Sequence, residues 1–243
     1  VVFGRDASAG PPLPASIALD SLDGANGFRL DGISTGSWTG RSVASAGDVN
    51  GDGIDDLIIG APQEVASAAV LVTGSAYVVF GRDSAAGAAF PARLDLASLD
   101  GVTGFRIDGQ RRTDSAGRSV AAAGDVNGDG VDDVIIGSPD ALIGGSTAAG
   151  SAFVVFGRDT KTTGAFPQAF GLDALDGTNG FRVDGFSEFA LIGFAVSSAG
   201  DFNADGFDDV IIGSLTNRST FVVFGQDASR AFPAVLSLAD LDG

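Results

Sequence analysis

Cysteine, histidine and methionine are absent from the 243 residues. Without Cys there is no disulfide, no thiol nucleophile and no thiolate metal site. Without His there is no Ser-His-Asp triad and no imidazole ligand. Catalysis by carboxylates alone survives that exclusion. The Cys count says nothing of redox compartment. Positive charge is scarce: 14 Lys and Arg stand against 31 Asp and Glu, for a formal net charge of −17. Nucleic acid and anionic membrane surfaces are poor partners for such a chain. No run of 18 apolar residues occurs, so no helical membrane span is predicted. Glu is scarce as well; only Glu64 and Glu188 are Glu, and every other acid is Asp. Asp is a residue of turns and metal loops more than of solvated helices.

Apolar residues make up 44 per cent, enough for a buried core, and Gly occurs 37 times. The chain repeats itself. VVFG stands at Val1, Val78, Val154 and Val222, and a GFR-x-DG run at Gly27, Gly104 and Gly180. An acidic loop starts at Asp48, Asp125 and Asp201. From the Phe of VVFG to the Phe of GFR is 25 residues each time, and from there to the loop is 20. Only the interval from loop to the next VVFG Phe varies, as 32, 31 and 23 residues. A surface loop absorbs such changes without moving what it joins. The units read as 1–32 (partial), 33–109, 110–185 and 186–243 (partial). The opening VVFGRD has neither the charged nor the apolar region of a signal peptide, and the chain reads as starting inside a repeat.

Each unit predicts four short strands. GFRLDG alternates Phe28 and Leu30 with Arg29 and Asp31. RSVASAGDV is small and apolar. DDLIIGAP carries the continuous Leu57-Ile58-Ile59 run of a strand buried on both faces. SAYVVFG is β-branched and aromatic. Gly and Asp-Gly punctuate the joins. No 3.6-residue period is sustained, although LxxLDG at 19–24, 96–101 and 172–177 fits one helical turn. The class is therefore all-β, with four-stranded antiparallel blades of a β-propeller, about three of them present and partial units at both ends. A nine-residue calcium β-helix does not fit a period this long. The chain reads as a cut from a longer propeller or as a ring completed by assembly.

In DVNGDGIDD, position 1 is Asp48. Asp48, Asn50, Asp52 and Asp56 put oxygens at positions 1, 3, 5 and 9, and the Ile54 carbonyl supplies position 7. The second copy offers Asp125, Asn127, Asp129, Val131 (carbonyl) and Asp133. The third offers Asp201, Asn203, Asp205, Phe207 (carbonyl) and Asp209. Five hard oxygens on one tight turn suit Ca2+, so three calcium sites are predicted. Magnesium prefers a stricter octahedron and keeps its waters. A helix-loop-helix calcium site also needs Glu at position 12, where this chain has Ile59, Ile136 and Ile212. The loop must then join two strands, with its last carboxylate at position 9. Asp-Gly alone makes an ordinary hairpin turn, but that does not account for four acids in nine residues, three times. Asp55, Asp132 and Asp208 at position 8 are expected to point away from the ion and hydrogen-bond the turn. Ala204 in copy three replaces the Gly of the other copies.

SVASAGDVNGDGIDDLIIGAP (42–62), SVAAAGDVNGDGVDDVIIGSP (119–139) and AVSSAGDFNADGFDDVIIGSL (195–215) resemble the FG-GAP repeats of integrin α-chain propellers and of bacterial surface proteins. The connection FPARLDLASLDG looks more like the bacterial members. The chain departs from the family at its FG, where Thr39-Gly40, Ala116-Gly117 and Ile192-Gly193 stand. Gly-Ala-Pro is intact only at 60–62. The resemblance implies a seven-bladed ring, calcium in the hairpin between the two innermost strands, and an extracellular or cell-surface location.

The expected function is a non-catalytic calcium-binding module serving adhesion or as an extracellular scaffold. Its partner, protein or glycan, is not specified by the sequence. No nucleic acid, no membrane insertion, and further blades of the same chain or self-assembly complete the expectation. The alternatives are a carrier or substrate-binding propeller of a larger extracellular enzyme, and a lectin. A lectin would use exposed aromatics, and beside 18 Phe the chain has only Trp38 and Tyr77. Phe80, Phe156 and Phe224, with Phe28, Phe105 and Phe181, recur in register and are expected in the core. Arg5, Arg82 and Arg158 of FGRD are expected as inter-blade salt bridges or solvated strand ends. Asn217-Arg-Ser219 is an isolated glycosylation sequon, and Arg-Gly-Asp does not occur.

Overall fold

The computed structural model describes residues 1–4, 14–64, 73–84, 87, 89–111, 113–145 and 148–240. Two compact parts form: residues 1–33 with 82–98, and residues 34–81 with 99–243.

The larger part is built from sheets. In the first, β2 (Ser42–Gly47), β3 (Asp56–Ala61) and β4 (Ser75–Val79) run antiparallel in sequence order, and β6 (Gly104–Asp108) adds on the outside of β4. The second repeats this with β7 (Ser119–Gly124), β8 (Asp133–Ser138), β9 (Ser151–Val155) and β11 (Gly180–Asp184). The third has three strands, β12 (Ile192–Gly200), β13 (Asp209–Ser214) and β14 (Thr220–Val223). These are the antiparallel propeller blades that the alternating and continuous apolar runs predict. The apolar runs of β3 and β8 are buried almost throughout, because each is an inner strand paired along both edges and packs against a strand of the neighbouring blade.

Each four-stranded blade carries a fifth strand that the sequence did not announce. β10 (Ala169–Gly171) comes from the second unit but pairs parallel with β6 of the first blade. β15 (Val235–Ser237) pairs parallel with β11 in the same way. The connection after VVFG thus runs back over the preceding blade before entering its own outer strand. The LxxLDG turns that follow are single 3-10 turns, Leu172–Ala174 and Leu238–Asp240.

Phenylalanine fills the seam that this return creates. The rings of Phe105 and Phe166 stack at 4.2 Å, with Phe80 tilted against both. Phe181 and Phe232 stack at 4.3 Å, with Phe156 against both. Phe224 departs from the expected burial. It is 53 per cent exposed. The arginines also correct the expectation. Arg158 lies 4.3 Å over the Phe166 ring and donates through Nη2 to the Ala165 carbonyl at 2.8 Å. A guanidinium on an aromatic face uses its weak hydration, so Arg158 is neither a salt bridge nor a solvated end. The ion pairs belong instead to the GFR-x-D strands, Arg106–Asp108 at 2.8 Å and Arg182–Asp184 at 2.7 Å.

The smaller part has the same elements. β1 (Arg29–Asp31) pairs parallel with β5 (Arg93–Asp95), and Phe28 stacks on Phe90 at 4.4 Å with Phe3 against both. Arg82 lies 5.0 Å over Phe90, which corrects its expected role as it does for Arg158. Arg29 and Arg93 both pair with Asp31. LxxLDG again gives a 3-10 turn, at Leu19–Ser21. Arg5 lies outside the described residues.

Candidate metal centre

Each acidic loop closes the hairpin between the first two strands of its blade. A register shift between Ser45 and Gly47 bulges the ladder just before the loop, and Gly47 pairs with Asp56 on the other side. The same shift precedes loops two and three. The hairpin location follows from Ile at position 12: a strand, not a helix, leaves the loop.

Inside loop one, Asp48 turns both carboxylate oxygens inward. Oδ1 accepts the Asp52 N–H at 2.9 Å and Oδ2 the Gly53 N–H at 2.7 Å. Asp52 Oδ1 accepts the Ile54 N–H at 2.9 Å. Loop two repeats these bonds from Asp129 and Gly130 to Asp125, and from Val131 to Asp129, at 2.9–3.0 Å. Loop three repeats them from Asp205 and Gly206 to Asp201, and from Phe207 to Asp205, each at 3.0 Å. Gly53, Gly130 and Gly206 take φ of +91°, +86° and +96°, the turn a Cβ would resist.

The position-9 carboxylates are the buried ones. Asp56, Asp133 and Asp209 are fully covered. Asp56 Oδ2 accepts the Val49 N–H at 3.0 Å and Oδ1 the Gly81 N–H at 2.8 Å. Gly157 and Gly225 serve Asp133 and Asp209 in the same way, each at 2.9 Å. These donors escape a reading of the loop by itself, but the fixed recurrence of VVFG was their signal: each is that motif's Gly. Burial, reinforced by the charges of Asp52 and Asp48, pushes Asp56 up to about 7 against those two N–H bonds. Burial also raises Asp133 well above the ordinary carboxylate range, and Asp129 less.

Among the described residues, no three carboxylates stand together as a finished metal cage. The fit of a cation rests on other features. Every predicted side-chain ligand is a hard oxygen on one turn. Asn50 Oδ1 is buried and has no hydrogen-bond partner, whereas Asn127 and Asn203 Oδ1 accept the Asp129 and Asp205 N–H groups at 2.9 Å. A carboxylate oxygen that accepts one N–H keeps a lone pair for a cation. The donor set fits Ca2+, with Asp48, Asn50, Asp52, the Ile54 carbonyl and Asp56 as the residues that would hold it in loop one.

The aromatics expected for a sugar site separate. Trp38 is 56 per cent exposed, while Tyr77 is wholly buried and donates to Glu64 Oε2 at 3.3 Å. The sequon amide of Asn217 donates to Ser187 Oγ at 2.9 Å.

Residues 39–79 and 116–155 match the FG-GAP repeat. The chain is 28% identical over 234 residues to the phosphatidylinositol-glycan-specific phospholipase D of Dictyostelium discoideum, covering 92% of this chain and 23% of that protein. It is 26% identical to integrin alpha-5 of Xenopus laevis, covering 88% of this chain and 18% of the integrin. It is also 26% identical to integrin alpha-PS2 of Drosophila melanogaster, covering 98% and 16%. The chain spans less than a quarter of the length of these relatives. No helix among the described residues is long and apolar enough to cross a membrane.

Proposed function

This chain carries FG-GAP repeats and has integrin alpha chains among its homologues, and from that premise we propose that it is a non-catalytic, calcium-stabilised propeller module of an extracellular or cell-surface protein, serving adhesion or as a scaffold. The observation that carries the calcium reading is Asn50 Oδ1, a buried acceptor left unpartnered within the predicted ligand set. An unpaired buried polar atom costs about 1–3 kcal/mol, and a cation at that point removes the cost.

The residues divide the work. Backbone N–H groups of the loop and of the VVFG Gly hold Asp48, Asp52 and Asp56 in place. Burial keeps water from Asp56. Calcium supplies positive charge that lets neighbouring carboxylates ionise together. The result is a cross-linked hairpin at the inner edge of each blade. Weak millimolar-range affinity is sufficient for extracellular modules.

Excess chelator lowers the melting temperature on this reading, and added calcium restores it. An unchanged melt in chelator sinks it. The likeness to a phospholipase D over 92% of this chain favours a second reading, a propeller carried by a larger enzyme. Recovering the intact polypeptide and finding a catalytic domain outside these residues decides between the two. Surface adhesion is tested by binding of the purified chain to candidate protein and glycan arrays. Hits confined to glycans turn the reading toward a lectin.

A further inference from the structure

Loops one and two are each closed by the blade that follows. The Asp48 N–H donates to Asp132 Oδ2 at 2.8 Å, and the Asp132 N–H donates back to the Asp48 carbonyl at 3.2 Å. One blade on, the Asp125 N–H donates to Asp208 Oδ2 at 3.0 Å, and the Asp208 N–H to the Asp125 carbonyl at 3.1 Å. The same position-8 atoms meet the same position-1 peptide twice, across 84 and 83 residues of sequence.

The residue before each receiving loop makes room. A Cβ on Gly47 would stand 2.3 Å from Asp132 Oδ2, and one on Gly124 2.1 Å from Asp208 Oδ2. Gly200, before loop three, would meet nothing within 4 Å. The following blade adds main-chain bonds. The Arg158 N–H donates to the Val49 carbonyl at 3.0 Å, the Thr160 N–H to Asn50 at 2.9 Å and the Gln226 N–H to Val126 at 2.9 Å. Asp55, the position-8 residue of loop one, is exposed and makes no such bond to a loop among the described residues.

We propose that Asp132 and Asp208 are positioning residues for the metal loop of the preceding blade, so that docking of the next blade pins the peptide that carries the first candidate ligand of loops one and two, Asp48 and Asp125. Position 8 thus serves a neighbour and not its own turn. The inference rests on the calcium reading. The physical reason is preorganisation. A bond to a charged acceptor is about twice as strong as a neutral one. It immobilises the peptide that carries Asp48 or Asp125 before a cation arrives, so less ordering is left for binding to offset.

Equilibrium dialysis against calcium tests this on the whole chain, with D132A, D132N and D55A beside wild type. Wild type is expected to bind three ions. D132A weakens one of the three sites by about tenfold, the loss of one charge-assisted bond. D132N keeps an acceptor oxygen and loses about threefold or less by the same accounting. D55A removes the same charge from the same loop position, which bonds no loop among the described residues, and stays within about twofold of wild type. Equal weakening in D55A and D132A overturns the proposal, because position 8 then acts within its own loop. So does a D132A that melts lower in chelator but binds all three ions as wild type does, which marks a packing contact alone. If D132A does not fold, D132N decides: one weakened site with an unchanged melt in chelator supports the proposal, and three unchanged sites overturn it. A wild type that binds no calcium overturns the calcium reading and this inference together, whereas three ions with unchanged variants overturn only the inference.

Discussion

Two single residues show how backbone and burial set local stability. Ala204 stands at position 4 of loop three with φ of +61°, where loops one and two have Gly51 and Gly128 at +73° and +70°. A left-handed non-Gly residue costs about 1–2 kcal/mol. Ala204→Gly is expected to raise stability by about 1 kcal/mol, less the unfolded-state entropy of Gly. Denaturant midpoints of the two proteins read it, and a fall in midpoint refutes it. Asp114 is buried, and its Oδ1 has no hydrogen-bond partner. Burial pushes it up to about 6 despite the Arg111 N–H at 3.0 Å and the Arg111 charge. A carboxyl raised on folding binds more protons folded than unfolded between about pH 4 and 6. Stability therefore falls as pH rises through that window. Asp114→Asn keeps an acceptor for Arg111 and removes the charge. Its stability relative to wild type should climb between pH 4 and 6, by an amount on the order of 2 kcal/mol. A constant difference across the window rejects the assignment.

At the scale of the element, the unit of packing is the outer strand with the returning connection. Phe105 and Phe181 sit at the centre of their triads and are fully buried. Phe105→Ala or Phe181→Ala should cost about 3–5 kcal/mol in urea unfolding. Phe224→Ala, just past β14 and exposed, should stay within about 0.5 kcal/mol. Equal costs at Phe105 and Phe224 would mean that repeat register, and not the triad, governs burial. The strands and the hairpin loops were legible because their signals are local: a continuous Ile run, alternation around Phe28, Gly at each join. The parallel fifth strands were not. Ala169–Gly171 has no strand pattern of its own, and it pairs with β6 because the chain passes there on its way to β11. The third Phe of each triad carried a faint signal, the recurrent Phe-Pro at 90, 166 and 232, which acquires meaning only once the stacking is seen.

At the scale of the whole molecule, a net charge of −17 acts against compactness. Screening should then stand in for part of what a bound cation would do. In excess chelator, raising sodium chloride from low to physiological ionic strength is expected to raise the melting temperature, because the Debye length shortens to about 8 Å. Magnesium at equal ionic strength should restore less than calcium does. A melt indifferent to salt in chelator would remove carboxylate repulsion as the cause.

The sequence by itself determined the repeat, the all-β class, the hairpin around each acidic turn and the oxygen-rich side chains of that turn, because each is written in residues a few positions apart. Only the tertiary structure decided which carboxylates are buried, which acceptor at Asn50 is left without a partner, and what Arg158 rests on. It also turned Asp132 and Asp208 toward a neighbour's loop. The physical reason is distance along the chain: those contacts join residues up to 84 positions apart, and spacing within a motif carries no information about what folds back upon it.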